Sequence, residues 1–138
     1  MKPYLSDKKI ILGNIYRPPR DLHANYELFI EEFSLVLQCF EKSNYQVLIA
    51  GDFNIDLLRI HEKPMFARFF DTITSLSFFL QITLPTRLFQ HRGTIIDNFL
   101  MKLSDDNINL ASSGIILSRI SDHFPYFICL NMFTVKKR

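Results

Sequence analysis

Residues 45–54 read YQVLIAGDFN, and this stretch decides what kind of fold the chain can form. Its apolar run VLIA is too short for a helix and indicates a buried strand, which the following glycine ends. Side chains alternate along an extended chain, so we expect Asp52 and Asn54 to point together towards one site and Phe53 to point into the core. A carboxylate and an amide there could hold a water and a substrate oxygen. Gly, Asp and Asn are also common turn residues, so a plain turn is an alternative.

Strand and helix patterns alternate on both sides of this stretch. Residues 9–16 (KIILGNIY) predict a buried strand, which the sequence RPPR ends because proline cannot donate to a strand ladder. Residues 22–42 predict an amphipathic helix. Its apolar stripe comprises Tyr26, Phe29, Ile30, Phe33, Val36, Leu37 and Phe40.

A second helix is predicted over residues 63–77, because proline suits its first turn and apolar residues recur at helical spacing. Its buried face comprises Met65, Phe66, Phe69, Phe70, Ile73 and Leu76. Further strands are predicted over residues 94–101, 114–117 and 126–132. The order strand, helix, strand, helix, strand indicates a layered α/β fold.

Composition sets broad limits on the chain. Its 138 residues suit one domain or a piece of one, and 48% hydrophobic residues with 14 Phe require a large core and argue against disorder. A net charge of +2 is too small to indicate a polyanionic partner by itself. Cys39 and Cys129 lie in apolar runs, so we expect buried free thiols. The sequence has neither a signal peptide nor an apolar stretch long enough for a bilayer, which predicts a soluble intracellular protein without a membrane partner.

Other polar residues stand out against their apolar surroundings. In SDHFP (residues 121–125) a histidine next to a carboxylate could act as a general acid or steady phosphate charge, although a capping Asp with a surface His would look the same. Asp97 lies inside an apolar strand, where burial is costly without a partner, and this favours a functional role. Tyr16 closes the first strand and could equally be a core tyrosine.

The absence of other catalytic patterns narrows the chemistry. The sequence has no Gly-rich phosphate loop, no H-E-x-x-H and no G-x-S-x-G. What remains is an oxygen-rich set of side chains spread over three strand ends: Asp52, Asn54, Asp97, Asp122 and His123. Such a set suits Mg²⁺.

A series of short motifs resembles the endonuclease/exonuclease/phosphatase superfamily, in the form found in LINE-type (non-LTR) retrotransposons, which is similar to apurinic/apyrimidinic endonucleases. The motifs are IYRPP (15–19), GDFN (51–54), PTR (85–87), TIID (94–97) and SDH (121–123). The resemblance implies a Mg²⁺- or Mn²⁺-dependent DNA endonuclease, which nicks target DNA for reverse transcription by means of an activated water. It implies DNA and a reverse transcriptase domain as partners in the full-length parent, and a nuclear location for that parent.

The resemblance also implies roles for individual residues. Asp52 would activate or position the attacking water, and Asn54 would help to hold that water and the scissile phosphate. Tyr16 would contact the phosphate. Asp97 would orient His123, which would stabilise charge in the transition state.

Other implied roles are peripheral, and one expected ligand is missing. Asp122 would lie beside the metal, and Thr86 and Arg87 would lie near the DNA backbone. Family members carry an earlier strand with a metal-binding Glu, yet residues 1–9 contain no Glu. Residues 1–138 are therefore expected to be the later part of a four-layer α/β/β/α sandwich with mixed sheets, without its N-terminal strands.

This partial domain has consequences for activity and surface. Mg²⁺ relies on few protein carboxylates, so we expect weak or absent nuclease activity from this chain alone. The apolar sheet face that would meet the rest of the sandwich is expected to be exposed. The alternatives are a decayed remnant that binds nucleic acid weakly or not at all, and a branch of the superfamily that acts on small phosphoesters.

Overall fold

A computed structural model of the chain describes residues 4–5, 9–19, 23–102, 111–130 and 133–134. Its helices are α1 (His23–Glu41) and α2 (Pro64–Ser75), with a short 3-10 turn at Leu57–Arg59. Its strands are β1 (Tyr4–Leu5), β2 (Ile10–Tyr16), β3 (Gln46–Asp52), β4 (Phe78–Leu80), β5 (Arg87–Phe89), β6 (Arg92–Thr94), β7 (Asp97–Lys102), β8 (Ala111–Ile115), β9 (Tyr126–Leu130) and β10 (Phe133–Thr134).

A four-stranded mixed sheet in the order β2–β3–β7–β4 organises the molecule. β2 and β3 are parallel, and α1 provides the crossover that a parallel pair requires. β7 runs antiparallel to both β3 and β4. The remaining strands form antiparallel pairs, β1 with β10, β5 with β6 and β8 with β9. The predicted α/β organisation is therefore confirmed, with a mixed sheet and two helices in the described ranges.

The core lies between one face of this sheet and the two helices. The helices bury Ile30, Phe33, Leu37, Phe66, Phe69 and Ile73, and the strands bury Val47, Ile49, Phe78 and Leu100 against them. Phe53 completes an aromatic cluster with Phe33 and Phe69 at centroid distances of 5.8 and 5.5 Å. The prediction that Phe53 points into the core is confirmed. Each buried Phe contributes about 2–3 kcal/mol.

The opposite face of the sheet is only partly covered. Tyr126 of β9 packs on Phe99 of β7 with ring centroids 4.7 Å apart. Leu12 and Phe79 are 72% and 50% exposed. Part of the expected exposed apolar face is therefore present. Neither helix in the described part of the chain is long and apolar enough to cross a membrane.

Lys102, at the end of β7, caps the C-terminal end of α1. Its ammonium donates to the carbonyl oxygens of Phe40, Glu41 and Ser43. The last turn of α1 has no basic residue of its own. Lys102 therefore supplies the positive charge that the carbonyl end of a helix favours.

Several element boundaries differ from the predictions. β3 continues through Gly51, because that residue keeps its pairing with Ile15 and Asn98. The strand predicted over residues 94–101 is broken between Thr94 and Asp97, and the strand predicted over 114–117 instead spans Ala111–Ile115. The strand predicted over 126–132 is observed over Tyr126–Leu130, and residues 131–132 lie outside the described residues.

The prediction of a buried strand over residues 9–16 is wrong for one face of β2, where Leu12 and Tyr16 are exposed. Three side chains outside β2 were also wrongly predicted to be buried. Val36 is 45% exposed because it lies at the edge of the α1 stripe. Cys39 and Cys129 are also exposed. Cys39 lies off the apolar stripe of α1, and Cys129 occupies one of the exposed positions that alternate along β9. The presence of an apolar run in the sequence therefore did not show which of its side chains face the core.

Glycine 51 is required by the close approach of β2. A Cβ at this position would lie 2.7 Å from the Ile15 carbonyl oxygen and 2.9 Å from Cζ of Phe53. We expect Gly51→Ala to lower the free energy of unfolding by about 2 kcal/mol, measured by urea denaturation. Gly13→Ala is the matched control, since its Cβ would meet Ile49 at an ordinary 3.4 Å. Equal losses in the two variants would contradict the prediction.

Candidate functional site

Three polar side chains lie in one row at an end of the central sheet. Tyr16 of β2 is paired with Asp52 of β3, and Asp52 is paired with Asp97 of β7. Directly paired residues present their side chains on the same face, so these three lie side by side. Tyr16 is 65% exposed, whereas Asp97 is only 5% exposed. The register thus brings together residues from three separate sequence motifs.

The buried Asp97 has the partner that its burial requires. Its Oδ2 lies 3.0 Å from Nδ1 of His123, whose side chain is 34% exposed. With Nδ1 donating to the carboxylate, Nε2 is the ring nitrogen left for a ligand. The Asp97–His123 pairing expected from the resemblance is therefore present as a contact.

The chain around His123 is held against the β5 edge. His123 forms an isolated antiparallel bridge with Arg87, and its own N–H donates to Oγ of Ser121 at 3.1 Å. The next N–H, of Phe124, donates to the Thr86 carbonyl oxygen at 2.7 Å. These contacts fix where the imidazole meets the sheet.

Threonine 86 supports Asp97 from the protein interior. Its side chain is completely buried. Its Oγ1 accepts the N–H groups of Ile96 at 3.3 Å and Asp97 at 3.1 Å. In this arrangement the Thr86 hydroxyl positions the start of β7. It does not face the solvent, which is where the backbone of a bound DNA would lie.

Asp52, Asp97 and His123 form one compact group. A ligand atom from each lies within 4.8 Å of the others. Burial, and then the nearby Asp97 carboxylate, raise the pKa of Asp52 above its ordinary value. The Asn54 N–H and the positive charges of His123 and Arg87 oppose that shift.

The donor set of this group fits a divalent cation. Two carboxylates supply the oxygen ligands that Mg²⁺ and Mn²⁺ prefer, whereas an imidazole is more typical of transition metals such as Zn²⁺. Repulsion between Asp52 and Asp97 is one cause of the raised pKa, and a bound cation would relieve it. The group can therefore hold a metal, a proton or a hydrogen-bonded water.

Asn54 does not continue the alternation expected from the sequence. The extended chain ends at Asp52, and Asn54 adopts a left-handed φ of 47°. Its Nδ2 donates to the Arg17 carbonyl oxygen at 2.6 Å, and its N–H donates to Oδ1 of Asp52 at 3.1 Å. The side-chain nitrogen of Asn54 is therefore occupied by the backbone.

Asp122 and Arg87 pair with each other beside the group. Arg87 Nε donates to Oδ2 of Asp122 at 2.7 Å, and this hydrogen bond lowers the pKa of Asp122. Both side chains are partly exposed, at 33% for Arg87 and 44% for Asp122. Asp122, which was predicted to lie beside the metal, therefore lies next to the Asp52–Asp97–His123 group but is already paired with the guanidinium of Arg87.

Two residues of the site were missed in the sequence. Burial raises the pKa of Tyr126 to about 12, and the carboxylates of Asp97 and Asp52 act in the same direction. Its phenol therefore stays protonated and can serve as a hydrogen-bond donor. Tyr126 lies within an apolar strand, where it resembles a core residue. Arg17 lies within the motif IYRPP, which predicts no role for it.

No protein-family model matches this chain, and no curated protein matches it either.

Proposed function

We propose that this chain is part of a metal-dependent DNA endonuclease domain of the endonuclease/exonuclease/phosphatase superfamily, of the LINE retrotransposon type. The observation that carries the proposal is the convergence of Asp52, Asp97 and His123 within 4.8 Å. Each comes from a different motif of the resemblance, so the local patterns and the geometry agree. The half-covered sheet supports a further proposal, that it is one of the two sheets of a four-layer sandwich.

Asp52 is the residue proposed to act on the attacking water. Its Oδ1 is occupied by the Asn54 N–H at 3.1 Å, which leaves Oδ2 to accept a hydrogen bond from water. The pKa of Asp52 is raised in the metal-free chain and would fall beside a bound cation, so its proposed role is to orient the water towards the phosphorus atom.

His123 is proposed to stabilise the charge that develops on the phosphate. Asp97 holds Nδ1 and so directs Nε2 outward. When the imidazole is protonated, Nε2–H is a donor fixed in place before the reaction, and such a donor stabilises developing charge without reorganising during it. The exposed phenol of Tyr16 lies in the same row and could donate to the same phosphate.

Asp52 and Asp97 are the residues that would hold a Mg²⁺ or Mn²⁺ ion, whose charge would stabilise the anionic transition state. Asp122 would join them only by leaving Arg87, to which it is bonded at 2.7 Å. His123 is more exposed than Asp97 and is therefore better placed to reach a phosphate.

DNA is the proposed substrate because cationic and aromatic side chains lie next to the Asp52–Asp97–His123 group. The β5–β6 hairpin carries Arg87, and its tip exposes Phe89, His91 and Arg92. Basic side chains attract phosphates, and exposed aromatic rings contact bases or sugars. A non-catalytic nucleic-acid-binding remnant is the second candidate. It is favoured by the presence of only two carboxylates in the Asp52–Asp97–His123 group of the described residues.

The proposal is tested by nicking of supercoiled plasmid in Mg²⁺ or Mn²⁺ with EDTA as control, and by direct Mn²⁺ binding. Loss of a residue that hydrogen-bonds to a metal ligand weakens metal affinity at least about tenfold, and loss of a ligand should weaken it no less. We therefore expect Asp52→Asn to weaken Mn²⁺ affinity at least about tenfold. Electron paramagnetic resonance of free Mn²⁺ measures this without hydrolysis. Asp71→Asn is the control, since Asp71 is exposed on α2.

The possible outcomes separate the two candidates. Nicking that EDTA abolishes supports the endonuclease. A folded chain that binds plasmid and leaves it intact favours the non-catalytic remnant. Equal Mn²⁺ affinities in the wild type and Asp52→Asn would contradict the proposed metal site.

A further inference from the structure

Arginine 17 lies behind the candidate site as a buried cation. It is only 5% exposed, although it directly follows the exposed Tyr16. Its guanidinium stacks over the Tyr26 ring at 4.1 Å from the centroid. Arginine is seldom buried unless its donors are bonded, so its contacts indicate what it is for.

Those donors are directed at the turn that follows Asp52. Nε donates to the Phe53 carbonyl oxygen at 2.7 Å, and Nη2 donates to the Asn54 carbonyl oxygen at 3.0 Å. The backbone of Arg17 binds the same turn. Its N–H donates to the Asp52 carbonyl oxygen at 2.9 Å, and its own carbonyl accepts Nδ2 of Asn54 at 2.6 Å.

The turn places Asn54 outside the extended conformation. Its φ of 47° lies in the left-handed region, which Asn adopts more readily than most residues with a side chain. In this conformation its N–H donates to Oδ1 of Asp52 at 3.1 Å. A continuous set of contacts therefore runs from the guanidinium, through Asn54, to the carboxylate of Asp52.

We propose that Arg17 is a positioning residue, whose guanidinium fixes the turn of residues 52–54 and thereby the orientation of the Asp52 carboxylate. Arg17 is buried and does not touch the substrate. Its consequence for hydrolysis rests on the proposed function, whereas its effect on the turn does not.

The fork of the guanidinium is the feature that matters. Two of its nitrogen atoms bond two consecutive carbonyl oxygens while its flat face lies on Tyr26. A lysine ammonium keeps the charge but lacks the planar fork and the stacking surface. Arg17→Lys should therefore restore only part of the function that Arg17→Met removes.

The test is residue-specific amide hydrogen exchange, measured by NMR on the metal-free chain. Arg17→Met should accelerate exchange of the Asn54 N–H about tenfold or more, since a bond to a charged group is lost. The Ile49 N–H in the middle of β3 should keep its rate. Arg17→Lys should lie between Arg17→Met and the wild type. Arg68→Met is the control, because that arginine is exposed and pairs only with Glu27 and Glu31 in the described residues.

Each outcome decides the inference. Faster exchange at Asn54 alone supports it. Equal acceleration at Asn54 and Ile49 would show a general loss of stability and overturn it. Unchanged exchange at Asn54, or wild-type exchange in Arg17→Lys, would overturn it too.

A kinetic measurement extends the test to the proposed function. In a chain that nicks DNA, Arg17→Met should lower kcat about tenfold while KM changes less than about twofold, because the substrate does not contact Arg17. A larger change in KM than in kcat would overturn the positioning role. A wild type that neither nicks DNA nor binds Mn²⁺ would defeat the proposed function and leave the exchange result to decide the inference.

Discussion

Replacing His123 with alanine should lower the rate of metal-dependent plasmid nicking by about 10²–10³-fold. Loss of one fixed donor to a developing anion has an effect of that size. The imidazole contacts Asp97 at 3.0 Å, and the backbone N–H of His123 donates to Oγ of Ser121 at 3.1 Å, so water would not replace the ring in the same position. The measurement is the initial rate of conversion of supercoiled to open-circular DNA.

The controls separate catalysis from folding. His61→Ala removes an exposed histidine in the turn before α2 and should leave the rate unchanged. Asp97→Asn keeps the size of the partner but loses the charge that favours Nδ1–H, and it should reduce the rate as well. A folded His123→Ala chain that nicks at the wild-type rate would rule out the proposed role of the imidazole.

The long elements were predictable from sequence because they are regular. α1 and α2 show apolar periodicity over several turns, and β2 and β3 each contain a short apolar run. β4, β5 and β6 each have three residues, too few to show any period. β5 and β6 pair with each other as a local hairpin, whereas β4 pairs with a distant strand, for example Phe78 with Lys102. The pairing of β4 is tertiary information, which no local pattern could have supplied.

The site divides in the same way. Asp52 and His123 could be singled out because each lies next to an apolar strand, and Asp97 because it lies inside a predicted one, and these are local features. Their approach to within 4.8 Å depends on the register of β3 with β7 and on the bridge between His123 and β5. The resemblance supplied an order of motifs but no distances.

The mistaken detail at Asn54 has a specific physical cause. The alternation that pairs Asp52 with Asn54 holds only while the chain stays extended, and the chain turns at a φ of 47°. Arg17, which follows β2, exchanges hydrogen bonds with Asn54 at that turn, so tertiary contacts accompany the conformation of Asn54. A local pattern predicts where a polar residue lies more reliably than what its side chain binds.

The largest loss of stability is expected at Asn98, next to Asp97 on β7. Asn98 is completely buried, and its Oδ1 accepts the N–H groups of Gln81 at 3.0 Å and Ile82 at 2.9 Å. Its Nδ2 donates to the Ile82 carbonyl oxygen at 2.8 Å. The side-chain amide of Asn98 thus forms the hydrogen bonds that a neighbouring strand would otherwise form with the backbone just after β4.

Asn98→Ala should lower the free energy of unfolding by about 4 kcal/mol, measured by urea denaturation. Ile82 would lose the partners of both its N–H and its carbonyl in the buried interior, and a cavity would remain. Gln81 would lose less, because its N–H also reaches the Phe99 carbonyl oxygen at 3.0 Å. Asn14→Ala, at an exposed position of β2, should change stability by no more than about 0.5 kcal/mol. A loss below about 1 kcal/mol at Asn98 would mean that water satisfies the Ile82 backbone, and the amide would then be dispensable.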